Sequence, residues 1–199
     1  MAEIDDIMVK LAGSKWYSST DCCKGYYAIC MEEESKEYTS FVCHRGVFRF
    51  KVMPFGLMNS AASYNRLMAK ALDGAQSMDS FVDDVICYDG EFEMHLNSLR
   101  DLFTRVRKAN LVLKPSKTYL GYQKIEFLGH VVTENSLETL DRNVEKILNI
   151  QKPTSKKQLR GLIGMVNFYA KFIPNRAQLL KPLTKLTQKG ANVEQDWGK

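Results

Sequence analysis

A chain of 199 residues with 45% apolar and 26% charged residues can bury one substantial core, or a main core with a small appendage, and is not a disordered tail. No apolar run reaches the roughly 18–20 residues that a membrane span needs. The opening MAEIDDIMVKL places acids where a secretory leader carries bases, so an intracellular protein without a membrane partner is expected. The 28 bases and 23 acids leave a net charge of +5, which suits a polyanionic partner without demanding one.

In chain order, Ile4, Ile7, Met8 and Leu11 fall at helical spacing, and Gly13 stands where helices commonly end. WYSSTD reads as a strand that delivers Asp21 at its end, and Gly25-Tyr26-Tyr27 turns the chain into a helical or irregular segment. From Glu37 to Val52 the pattern is that of a β-hairpin, with His44-Arg45-Gly46 as the turn. Met53-Pro54-Phe55-Gly56 stops that strand, and Asn59-Ser60 can cap a helix over 61–72. FVDDVICY is a second hairpin with its acids at the tip, followed by an amphipathic helix presenting Leu96, Leu99, Phe103 and Val106. Strands are expected at 111–113 and within 124–132, and helices at 143–150, 156–172 and 177–187, with Pro182 as an early kink or break. The composition turns all-α near Thr133, which marks a domain boundary between 1–132 and 133–199.

Two adjacent carboxylates, Asp83 and Asp84, stand between strand-forming residues in Phe81-Val82-Asp83-Asp84-Val85-Ile86. Alone, the pair fits an ordinary exposed turn, where Asp is favoured, as well as a cation site that would relieve the repulsion. Asp21 shifts the balance, because two strand-borne acidic sites far apart in sequence can meet only if their strands are neighbours. Three aspartates suffice for a pair of Mg²⁺ ions, which keep several waters and take few protein ligands. The basic stretches 100–124 and 152–189 suit phosphate contacts or solvated helix faces. Cys22, Cys23, Cys30, Cys43 and Cys87 are odd in number and lack paired spacing, so neither a zinc site nor a disulfide framework is expected. His44 and His95 read as surface residues.

These residues resemble the reverse transcriptases of gypsy-like LTR retrotransposons and, more distantly, of retroviruses. YSSTD followed by Gly25-Tyr26 is similar to that family's first catalytic motif. FRFKVMPFGLMNSAASYNRLM is similar to its MPFGL motif and following helix, FVDDV to its Y-x-D-D signature, and EFLGH to its primer-grip hairpin. KKQLRGLIGMVNFYAKFIPN and KPLTKLTQKG resemble its following helices. The resemblance implies an α+β fold: a right-hand polymerase palm of antiparallel sheet backed by helices, with partial fingers over 1–132. A small all-α thumb and the start of the connection would follow over 133–199.

It implies RNA-directed DNA polymerase activity, with dNTPs and an RNA or DNA template-primer as partners. Asp21, Asp83 and Asp84 would hold two Mg²⁺ ions (Mn²⁺ as a substitute). Cys22, Tyr26, Phe55 and Gly56 would line the substrate pocket, with Tyr26 discriminating against a 2′-hydroxyl. Leu128, Gly129 and His130 would grip the primer, and Lys117 would give a proton to the leaving pyrophosphate. The rest of a Pol polyprotein (protease, RNase H, integrase) would accompany the chain. Phe81 replaces the usual tyrosine, Ala28 a common glutamine and Thr118 a common cysteine. The chain starts at the helix before the first motif, so the basic fingers segment is expected to be missing. A truncated, non-catalytic remnant that keeps the fold and binds nucleic acid is therefore the alternative, and polymerisation by the chain alone is expected to be weak or absent.

Overall fold

The structure is a computed structural model that describes residues 4–197. The chain divides into two compact units, one ending at Glu138 and the other starting at Thr139. Among the described residues, no helix is long and apolar enough to cross a membrane.

The first unit is built on a four-stranded antiparallel sheet whose strands lie side by side in the order Met78–Phe81, Asp84–Asp89, Trp16–Asp21 and Tyr119–Tyr122. Its strands are β1 (Trp16–Asp21), β4 (Met78–Phe81), β5 (Asp84–Asp89) and β6 (Tyr119–Tyr122), with the small hairpin of β2 (Phe41–Cys43) and β3 (Gly46–Phe48) to one side. Side chains alternate across a strand, and β5 serves two cores for that reason. Val85 and Cys87 join one with Tyr64, Met68, Leu99, Leu102 and Val106, supplied by α2 (Ser60–Ala71) and α3 (Phe92–Lys108). Ile86 joins the other with Ile7, Met8 and Leu11 of α1 (Ile4–Leu11), Tyr17 of β1, and Ile125, Phe127 and Val132. The last three come from β7 (Lys124–Phe127) and β8 (His130–Thr133), which continue into β9 (Leu137–Thr139) as a three-stranded sheet. The sheet is therefore covered on both faces.

Several expectations are corrected. The hairpin expected over 37–52 pairs only Phe41↔Phe48, Val42↔Val47 and Cys43↔Gly46, and Lys36–Thr39 is a 3-10 helix. Val42 and Val47 are 79% and 71% exposed, so alternation there does not mark a buried face. No strand forms over 111–113, where only an isolated bridge joins Leu113 to Cys22. α3 turns His95, Leu99, Leu102 and Val106 inward, and Phe103 remains 39% exposed. His95 is thus fully buried rather than a surface residue, because Asp89 and Ser18 supply polar partners inside the fold. His44 is exposed, as expected. The strand β6 is an element that no alternation in TYLGY announced.

The second unit carries α4 (Asp141–Leu148), α5 (Lys156–Phe168), α6 (Arg176–Leu186) and α7 (Val193–Asp196). Ser155 caps α5, its hydroxyl oxygen accepting the Gln158 N–H at 3.3 Å. α5 ends at Phe168, short of the expected 172, where a 3-10 turn of Ala170–Phe172 follows. Pro182 lies inside α6 without ending it.

Candidate active site

The site is assembled by backbone pairing before any side chain matters. β1 and β5 run antiparallel in a register that sets Asp21 opposite Asp84. β4 and β5 close on the two-residue turn Val82-Asp83, so Asp83 follows at the hairpin tip. The Cys22 N–H donates to the Asp83 carbonyl at 2.8 Å, and the Lys114 N–H donates to the Asp21 carbonyl at 2.9 Å. Asp21 is thus clamped from both sides, and the three acids expected to converge are joined through neighbouring strands.

Val82 occupies φ 54°, in the left-handed region. A β-branched side chain there is a true outlier, and such strain costs on the order of 1–3 kcal/mol. Val82→Gly is expected to raise the urea midpoint of the chain, and Val82→Ala, which loses the branch but retains a Cβ, to raise it less. A lower midpoint for the glycine variant would show that the turn is not strained.

The electrostatics follow from crowding three acids. Burial pushes the Asp83 and Asp84 carboxyls above the usual carboxylate range, the Asp21 charge adds to this, and Lys117 opposes it. The Lys117 ammonium donates to Asp21 Oδ2 at 2.7 Å, and this hydrogen bond and the carboxylate charge push its pKa up. Behind Asp83 lies Tyr64, fully buried, whose hydroxyl is near both Asp83 and the buried Cys22 thiol. Burial pushes the Tyr64 hydroxyl and the Cys22 thiol up, with the acids nearby adding to both. The Tyr64 hydroxyl stands close enough to Asp83 to hold its carboxyl down against that burial, but by distance and angle the Tyr64 hydroxyl, Asp83 Oδ1 and Thr20 Oγ1 are buried without a hydrogen-bond partner. Buried acceptors in that condition are costly and mark a place where a ligand would be accommodated.

Tyr64 also connects the acids to the aromatic group. The Tyr26 ring lies 5.4 Å from that of Tyr64 and 5.0 Å from that of Phe55, and Tyr27 approaches Phe55 at 5.5 Å. Phe55 is 60% exposed, so it forms a wall open to solvent rather than core. Gly56 takes φ 90°, a turn that L side chains resist. Gly25 lies under Tyr64 so tightly that an added Cβ would fall 2.5 Å from the ring Cζ.

Leu128 and Gly129 form the β7–β8 turn, both at positive φ (46° and 79°) as a type I′ turn requires. Leu128 packs into the second core, and His130 is buried with Nδ1 3.0 Å from the Leu128 carbonyl oxygen. Leu128 thus belongs to the opposite face of the sheet from the Tyr64 cluster. Of the bases in 100–124, Arg105 is engaged by Asp101 and by the Ala71 and Asp73 carbonyls, Lys117 by Asp21 and Lys124 by Glu138. That stretch is therefore less free to meet phosphates than its composition suggests. Tyr64 escaped the sequence reading, although Ser60, Tyr64 and Met68 at spacing i, i+4, i+8 define the buried face of α2. Among the described residues, no three of His, Cys, Asp or Glu already stand as a ready-made metal cage.

Comparison with known proteins fits this geometry. A family model for reverse transcriptase (RNA-dependent DNA polymerase) matches residues 1–132. The chain is 33% identical over 193 residues to the retrovirus-related Pol polyprotein from transposon 297 of Drosophila melanogaster, covering 96% of this chain and 18% of that protein. It is 30% identical over 188 residues to the corresponding polyprotein from transposon opus of the same fly, covering 94% and 19%. The Tf2-3 transposon polyprotein of Schizosaccharomyces pombe is 27% identical over 188 residues, covering 94% and 14%. The chain thus spans less than a fifth of the length of these relatives. Among solved structures, the foamy viral protease-reverse transcriptase with double-stranded DNA superposes with a TM-score of 0.89 at 24% identity, over 98% of this chain and 37% of that one. The same viral protein with an RNA/DNA hybrid gives 0.84 at 25% identity, over 98% and 28%. The α+β palm expected from the motifs is the fold these neighbours share, and the chain belongs to the reverse transcriptase (RNA-dependent DNA polymerase) family.

Proposed function

We propose that the chain is the polymerase portion of a retrotransposon Pol polyprotein, extending a primer 3′-hydroxyl with dNTPs on an RNA or DNA template. The observation that carries this reading is the facing of Asp21 and Asp84 across β1 and β5, with Asp83 Oδ1 buried and unpartnered at the adjacent tip. A set of hard carboxylate oxygens crowded at neighbouring strand ends fits divalent Mg²⁺ or Mn²⁺. Asp21, Asp83 and Asp84 would hold the ions. When bound, such a pair supplies Lewis acidity to both the attacking and the leaving oxygen of a phosphoryl transfer.

The chain's own residues do the rest. Tyr26, held between the tilted Phe55 ring and the edge-on Tyr64 ring, would present its ring where the sugar C2′ lies. Gly56 lets backbone approach the nucleotide. Lys117, kept protonated by Asp21, stands ready to give its proton to the departing pyrophosphate. Leu128, Gly129 and His130 form a rigid turn suited to holding the primer end, and Cys22 packs behind the acids. Residues 1–132 would then act as palm with partial fingers and 133–199 as thumb. The foamy viral neighbours hold double-stranded DNA and an RNA/DNA hybrid, which supports a template-primer as partner here.

One observation favours the alternative, a nucleic-acid-binding remnant without catalysis: the Lys117 ammonium already neutralises Asp21, and no preformed cage is present among the described residues. A primer-extension assay with an RNA template, dNTPs and Mg²⁺ separates the two. Extension by the chain alone is expected to be weak, and what extension there is should be lost in Asp83→Asn. Equal extension by both proteins would remove the metal site, and template binding with no extension by either would establish the remnant.

A further inference from the structure

Outside the carboxylate site lies a second polar set that the proposed reaction does not use. The Ser98 hydroxyl donates to Asp89 Oδ1 at 3.1 Å, and Asp89 Oδ2 lies 2.8 Å from His95 Nδ1. His95 Nε2 lies 2.7 Å from the Ser18 hydroxyl oxygen, and that oxygen accepts the Gly121 N–H at 2.9 Å. The arrangement that satisfies every member has Nδ1–H donating to the carboxylate and the Ser18 hydroxyl donating to Nε2, so all the dipoles point the same way. Ser, His and Asp in this order match a hydrolase triad. Here Ser18 and His95 are wholly buried and Asp89 is 4% exposed, so no acyl substrate reaches the serine.

The chain of bonds ends instead on backbone. β1 pairs with β6 at Tyr17↔Tyr122 and at Ser19↔Tyr119, so β1 advances two residues while β6 advances three. The extra residue makes a β-bulge, with Gly121 at φ 71°. Its N–H is the group that Ser18 receives. Two residues before β6 begins stands Lys117, at the end of the 3-10 turn Pro115–Lys117, with its ammonium on Asp21. A slip of one residue in β6 would carry its lead-in about 3.3 Å along the strand and end that contact.

We infer that His95 is a positioning residue: the Asp89–His95–Ser18 chain fixes the β6 bulge, and the bulge fixes the register that holds Lys117 on Asp21. The inference deepens the proposed function, because that reading gives the Lys117–Asp21 contact its role. The contact itself is measurable without metal or nucleotide.

The test uses the ¹⁵N-labelled 199-residue chain and its Lys117 ζ-ammonium resonance, identified by its absence in Lys117→Arg. In Ser18→Ala and His95→Phe, the Gly121 amide is expected to move upfield. The Lys117 signal is expected to broaden beyond detection there and in Asp21→Asn alike. Val106→Ala, a core truncation on the same helix outside the polar chain, is expected to lower stability and leave both signals in place. A folded Ser18→Ala that keeps the wild-type Lys117 signal overturns the inference, as does an equal loss of that signal in Val106→Ala. A parallel Mn²⁺ titration of the wild-type chain, read by relaxation of the Asp21 and Asp84 amides, keeps the two readings apart. No relaxation there would count against the metal site, and the Lys117 signal would still decide the role of His95.

Discussion

Asp83→Asn is expected to make the metal-free chain more stable, by about 1 kcal/mol at pH 7, while abolishing its stabilisation by Mg²⁺. The two effects share one cause. Asp83 is crowded by burial and by Asp21, so its proton is held more tightly in the folded chain than in the unfolded one. A raised carboxyl pKa contributes stability that is present below the unfolded value and lost as pH rises through the folded value. Near neutral pH the ionised group therefore opposes folding, though solvent screening at this partly open site limits the size of the effect. Asparagine keeps the shape and removes the charge.

The wild-type chain should accordingly gain stability as pH falls from 7 towards the carboxylate range, and Asp83→Asn should show a shallower rise, since only Asp84 still titrates there with a raised value. A ligand held a hundredfold above its Kd adds about 2.7 kcal/mol, so saturating Mg²⁺ should reverse the order of the two proteins. Thermal denaturation at pH 5.5 and 7.5, with and without Mg²⁺, measures all four quantities. An Asp83→Asn chain less stable than wild type without metal would remove the electrostatic account.

The second large effect is expected at Gly25. An alanine Cβ there would lie 2.5 Å from both Cζ and Oη of Tyr64, where real contacts begin beyond 3 Å. Tyr64 cannot yield, because its ring is fully buried between Cys22, Met68 and the Tyr26 ring. Overpacking typically costs about 1–3 kcal/mol, and Gly25→Ala should fall at or above the top of that range. The loss should be recovered in part by Tyr64→Leu, which clears the space. Urea unfolding of the single and double variants forms a cycle whose coupling term is the prediction. Additive losses would mean that Gly25 and Tyr64 do not meet. Because Tyr64 also faces Asp83, a displaced ring should weaken the Mg²⁺ response as well.

The parts of the chain that could be read in advance are those whose signal is local. α1 shows its apolar spacing, β1 and the β4–β5 hairpin show strand-formers ending on acids, and α2 starts at Ser60, within a residue of expectation, although the Asn59 side chain makes no capping hydrogen bond. What escaped depends on partners distant in sequence. β6 exists because β1 offers it an edge, and its glycine bulge breaks the alternation that would have announced it. His95 reads as a surface residue because its buried partners Ser18 and Asp89 come from two strands, β1 and β5, away from its own helix. Phe103 and Leu102 are both apolar, and the choice of Leu102 for the core is made by where α3 lies on the sheet. In the site, the pairing of Asp21 with Asp84 was expected from their positions at strand ends. The role of Tyr64 as the link from Gly25 through Cys22 to Asp83 was not, since nothing about a tyrosine in a helix signals what it touches.

The double duty of β5 constrains how the molecule can fluctuate. Because Val85 and Cys87 face one hydrophobic core and Ile86 the other, lifting this strand away would expose both at once. The hairpin bearing the acids therefore has no low-energy opening of its own: it separates only when the first unit as a whole comes apart. The amide hydrogens of β5, paired on both sides, should exchange with solvent on the timescale of global unfolding, while those of the exposed β2–β3 hairpin exchange early. A carboxylate cluster that is electrostatically unhappy without its cation is held in place by a strand that cannot relax locally.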